Sequence, residues 1–125
     1  MRKPMKKIFL LSLLILYSIN MSAQPKDQFV YEITLFEQFK HRSRWTEKEE
    51  QIQKEHLAYL DSLTKAGTLE MAGIQSQGLA EHKGFILLNV QNYEEAKSIA
   101  LNDPSVKEGM MTVRIYPFTT YFKNQ

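Results

Sequence analysis

The chain has 125 residues, no cysteine, and 16 basic against 14 acidic side chains. That length suits a single domain once any leader is removed, and the lack of cysteine excludes disulfides, thiolate zinc sites and cysteine nucleophiles. Four of the basic residues and none of the acidic ones fall in residues 1–23, so the remainder carries 12 basic and 14 acidic residues, a net charge of −2, and keeps no basic patch for nucleic acid.

Residues 1–23 read as a signal peptide. Arg2, Lys3, Lys6 and Lys7 form a positive n-region, and Ile8 to Ile19 is an apolar stretch too short to span a bilayer comfortably. Met21-Ser22-Ala23 offers a small residue at the cut, with no cysteine nearby to make a lipoprotein signal. Residues 24–125 are then an exported domain, periplasmic or secreted, with no membrane contact after cleavage. An uncleaved N-terminal anchor is the alternative.

Pro25 to Gln28 reads as a short leader, and Phe29 to Glu37, rich in β-branched and aromatic residues, as a strand. Gln38 to Trp45 is a loop carrying Lys40, His41, Arg42 and Arg44 beside Trp45, a cluster suited to drawing an anionic or aromatic substrate to a site mouth. A solvated loop is the plainer alternative. Thr46-x-x-Glu49 is a capping box that opens a helix, and Gly67 supplies its left-handed stop after Ala66. Ile52, Tyr59, Leu60 and Leu63 share its inner face, and His56 falls among them.

Thr68 to Ile74 is a second strand, Gln75 to Lys83 a polar turn, and Gly84 to Val90 a third strand. Asn92-x-x-Glu95 caps a second helix, whose inner face is Ala96, Ile99 and Ala100. Asp103-Pro104 ends it, because proline disfavours helical geometry in the residue before it, and a short turn to Gly109 follows. Met110 to Tyr116 is a fourth strand broken by Pro117, and the tail from Phe118 to Phe122 suits a small edge strand.

The order β-α-β-β-α-β predicts an α+β, ferredoxin-like domain. Two helices cover one face of a four-stranded sheet, yet the first, third and fourth strands are apolar on both alternating sets. The second face therefore calls for a partner, most simply the same face of another copy, giving a homodimer in a dimeric α+β barrel.

His56, on a helix face turned toward a sheet, is a candidate proton-transfer group near neutral pH; a core histidine satisfied by its neighbours is the alternative. Asp103 either serves as a structural stop or orients the ring of His56. His41, His56 and His82 fit no metal-ligand spacing. Glycine-rich phosphate loops and serine nucleophile elbows are absent, so no cofactor is expected.

His56-Leu57-Ala58-Tyr59-Leu60, the Gly67 stop, Ala72-Gly73, Tyr93-Glu94-Glu95-Ala96 and Asp103-Pro104 stand in an order and spacing that resembles the YCII-related (YciI-like) family. The resemblance covers roughly residues 29 to 117. It implies a small α+β protein whose active site is a His/Asp pair, which carries over to His56 and Asp103. The chain departs from the family pattern in Ile74-Gln75, where proline often follows Ala-Gly, and in Ser105, where an aromatic or bulky residue often follows Asp-Pro. Three functional readings follow. One is a cofactor-independent enzyme of lyase or isomerase type acting on a small molecule through His56 and Asp103. The second is a non-catalytic periplasmic module that binds a small ligand, and the third a purely structural dimer.

Overall fold

The structure, a computed structural model, describes residues 27–75 and 82–125. The expected signal peptide and most of the polar turn after the second strand lie outside the described residues. The elements in chain order are β1 (Asp27–Leu35), α1 (Glu47–Lys65), β2 (Leu69–Gln75), β3 (Lys83–Val90), α2 (Tyr93–Asn102), α3 (Pro104–Lys107) and β4 (Met111–Pro117). All strand pairs are antiparallel, and the sheet order is β2-β3-β1-β4. This is the ferredoxin-like α+β arrangement expected from the element order.

The period-2 rule sorts the sheet into two faces. Phe29, Tyr31, Ile33 and Leu35 of β1 point toward the helices and join Ile86, Leu88 and Val90 of β3 in the core. Val113 and Ile115 of β4, opposite Ile33 and Tyr31, pack on this same side. The outward face is mixed rather than uniformly apolar. It presents Val30, Phe85, Leu87 and Met71, but also Glu32, which accepts from the Tyr116 hydroxyl at 3.2 Å and pairs with Lys83 at 3.5 Å.

Helix ends follow local chemistry. The Lys48 N–H donates to the Thr46 hydroxyl at 3.3 Å and the Thr46 N–H to the Glu49 carboxylate at 3.1 Å, which completes the capping box of α1. Gly67 takes φ +77°, a conformation that disfavours side chains, where α1 gives way to β2. Asn92 accepts the Glu95 N–H at 2.9 Å at the start of α2. Ala96 and Ala100 are fully buried, and their small side chains let α2 lie close to the sheet.

Several boundaries depart from the sequence reading; β1 ends at Leu35 rather than Glu37, and β4 runs through Pro117. β1 begins at Asp27, inside the expected leader, because Asp27 and Gln28 pair with Val90 and Asn89. The expected turn after Asp103 contains the one-turn helix α3, with Pro104 at its first position and Asp103 as its N-cap. The tail beyond Pro117 forms no strand. One further bond, from Phe118 N–H to the Gln28 carbonyl at 3.0 Å, extends the β4 pairing. The chain then crosses the end of the sheet, held by a hydrogen bond from Thr120 to Gln28 and an ion pair from Lys123 to Glu70.

Candidate active site

Asp103 sits where α2 stops and α3 starts, in extended geometry (φ −59°, ψ 124°), as the following proline requires. That position turns its carboxylate into the protein, where it is fully buried. A buried carboxylate must find donors, and this one finds several. His56 Nδ1 lies 2.7 Å from Oδ1 and 2.9 Å from Oδ2. The Tyr31 hydroxyl donates to Oδ2 at 3.0 Å, and Ser105 donates to Oδ1 through its N–H at 3.0 Å and its hydroxyl at 2.8 Å.

These partners set the ionisation of the cluster. Burial pushes the Asp103 pKa up, but the hydrogen bond and charge of His56 and the two donors of Ser105 outweigh it. The net result lies below the ordinary carboxylate value. Burial, followed by the charge and hydrogen bond of Asp103, raises the Tyr31 phenol far above its usual range, so it remains a donor. Burial and the Asp103 charge also raise Tyr59, whose hydroxyl donates to the Ile99 carbonyl at 2.7 Å. An ionised carboxylate only accepts. The neutral His56 ring must therefore carry its proton on Nδ1, which leaves Nε2 with a lone pair.

His56 comes from the inner face of α1, where it and Ile52 are the buried residues. It lines a cavity of about 300 Å³ between α1 and the β2–β3–β1 part of the sheet. Most of the wall is apolar, including Ile33, Leu60, Ile74 and Ile86. Gly84 also lines it; a Cβ there would lie 2.8 Å from Ile33 Cγ1, so the glycine keeps β3 close to β1. An imidazole with one nitrogen fixed by a buried carboxylate and a lone pair on the other can accept a proton from a molecule in such a cavity.

The YCII-related domain model matches residues 23–119. The chain belongs to the YCII-related domain family. Among curated proteins, none is significantly similar in sequence. Among solved structures, the chain is similar to 5-chloro-2-hydroxyhydroquinone dehydrochlorinase (TftG) from Burkholderia phenoliruptrix AC1100, in complex with 2,5-dihydroxybenzoquinone. The TM-score is 0.56 at 16% identity, with 74% of this chain and 93% of that chain covered. At that identity the likeness concerns the fold.

Within this YCII-related domain, the residues named from sequence meet as a pair: His56 and Asp103, 47 positions apart, are in direct contact. The cationic loop does not join them. Arg42 pairs with Glu50 at 3.0 Å and stacks 5.1 Å from the centre of the Trp45 ring, Lys40 pairs with Glu37 at 2.8 Å, and no residue from 40 to 45 lines the cavity. Glu37 and Glu50 hold these two cations on the surface, in keeping with the plainer reading of a solvated loop. Sequence reasoning also missed Tyr31 and Ser105. The signal for Ser105 was available, since a residue two positions after an Asp N-cap offers its N–H to that carboxylate. Tyr31 carried no signal beyond its place in an apolar strand. Both departures from the family pattern lie at the site, with Ile74 on the cavity wall and Ser105 on Asp103.

Proposed function

We propose that this protein is an exported, cofactor-independent enzyme of lyase or isomerase type, which moves a proton on a small molecule with His56 as general acid/base and Asp103 as its orienter. The observation that carries the reading is the 2.7 Å contact from His56 Nδ1 to a fully buried carboxylate, on the wall of a cavity of about 300 Å³. The carboxylate fixes the tautomer and stabilises the imidazolium that forms when Nε2 takes a proton. The cavity is at the small end of the range for ligand sites. The fold relative is named for removing hydrogen chloride from a hydroxylated ring and holds a dihydroxybenzoquinone. Hydroxylated quinones and hydroquinones are therefore the first class to screen. Turnover of one of them by the wild-type protein and its loss in His56→Ala is the expected result. Equal turnover by both proteins refutes the role of His56.

Export rests on the basic n-region and apolar stretch of residues 1–23. Cell fractionation with mass spectrometry is expected to recover a soluble chain beginning near Gln24. Recovery of the full-length chain from the cytoplasm contradicts export.

The active form in this reading is a homodimer joined through the outward sheet face. The support is an apolar groove of about 500 Å³ on that face, lined by Met71, Phe85, Leu87 and Tyr116 among others, with Met71 63% exposed. Val113 and Ile115 face the helices, so the substitution that probes the seam is Phe85→Asp. A specific seam should bury roughly 1,000 Å² or more. Light scattering at micromolar concentration is expected to give a dimer for the wild type and a folded monomer for Phe85→Asp; a wild-type monomer refutes the assembly.

A further inference from the structure

The cavity contains a second imidazole that the His56–Asp103 pair does not account for. His82 stands immediately before β3 and lines the same cavity as His56. Its place follows from the strand period: residues 82, 84 and 86 alternate with 83 and 85, and Gly84 and Ile86 face α1 and also line the cavity. The two imidazoles thus enter from different elements, one from the helix layer and one from the sheet. Among the described lining residues, the only side chains with nitrogen or oxygen are Gln53, His56 and His82, and none is Lys, Arg, Asp or Glu. Among the described lining residues no Lys or Arg answers a permanent anion such as a carboxylate or phosphate, whereas an uncharged, largely apolar molecule suits the mostly apolar wall. Gln53, one turn before His56 on α1, adds a buried amide oxygen with no hydrogen-bond partner among the described residues.

We propose that His82 is a second catalytic residue of this cavity, working with His56 on a small uncharged substrate whose proton shifts from one atom to another. The proposal rests on the acid/base reading of His56 given above. In the forward step His56 Nε2 takes a proton from a C–H bond of the substrate. The electron pair of that bond moves into the neighbouring π system, the double bond migrates, and a new C–H bond forms at its far end with a proton from protonated His82. No group leaves, and nothing is oxidised or reduced. The step leaves His56 protonated and His82 neutral, and exchange with water restores both.

The probe is cyclohex-3-en-1-one, an uncharged six-carbon ring that becomes conjugated cyclohex-2-en-1-one by such a shift, read by ultraviolet absorbance. The wild-type protein is expected to accelerate the conversion with saturation. His82→Gln, which keeps a hydrogen-bonding side chain but cannot transfer the proton, is expected to lower kcat by about 10²-fold with KM nearly unchanged. His82→Phe is expected to show the same loss in kcat. A wild-type kcat in both His82 variants, together with an inactive His56→Ala, overturns the role of His82 and leaves the role of His56 intact. A His56→Ala protein as active as the wild type overturns the underlying reading. Failure of the wild-type protein to accelerate this probe overturns the assigned substrate class.

Discussion

His56→Ala is expected to lower turnover of a true substrate by about 10²–10⁴-fold, the usual worth of a positioned general base, while the protein still folds. Two features separate the loss of chemistry from loss of fold. Asp103 keeps its other donors, Tyr31 and Ser105, when the imidazole is gone, so its charge is not left without partners. His56 also lies on a helix whose ends are fixed independently, by the Thr46 box and the Gly67 turn. The destabilisation should therefore stay within about 1–3 kcal/mol, measurable by urea unfolding beside the kinetics. A variant that retains the wild-type rate shows that the ring is a packing residue.

Asp103→Ala is expected to act mainly on stability, with a loss of about 1–3 kcal/mol for each buried donor left without its acceptor. The variant strands the Tyr31 hydroxyl and the hydroxyl of Ser105 inside the protein, and it removes the N-cap of α3. Asp103→Asn keeps the shape and tests ionisation. Because the Asp103 pKa is lowered in the folded protein, its carboxylate stabilises the fold fully above the unfolded value, about 3.9. That contribution is lost as the pH falls through the lower folded value. The stability gap between wild type and Asp103→Asn should therefore be widest near neutral pH and should narrow below about pH 4, followed by denaturant unfolding across that range. A gap independent of pH contradicts an ionised Asp103.

The element order was legible because each element is specified by nearby residues. Thr46 with Glu49, Asn92 with Glu95, and Gly67 act within one turn of chain, so short-range chemistry predicts α1, α2 and the stop. His56 and Asp103 were legible only as candidates, since contact across 47 positions depends on how the helices dock. The outward face was misjudged because alternation alone does not show which apolar set faces the helices. Val113 and Ile115 belong to the core, and the outward set of β4 is Thr112, Arg114 and Tyr116. His82 was hidden by its polar neighbours. Read as part of a turn, it loses the alternation that, carried back from Ile86 and Gly84, places it on the helix-facing side of β3. Charge clustering in the cationic loop is visible in sequence, whereas its pairing with Glu37 and Glu50 requires the fold.

In the proposed mechanism a buried, ionised Asp103 holds the His56 ring with its proton on Nδ1 and leaves Nε2 as the base in the cavity. Proton–nitrogen correlation spectra of the histidine rings, recorded at neutral pH on protein labelled with ¹⁵N-histidine, test it most directly. Wherever the His56 ring is neutral, it is expected in the Nδ1–H tautomer. Its Nε2 should show the signal of an unprotonated nitrogen, and Asp103→Asn should shift the ring toward the Nε2–H tautomer. A wild-type His56 ring that carries its proton on Nε2, or whose tautomer is unchanged in Asp103→Asn, contradicts it.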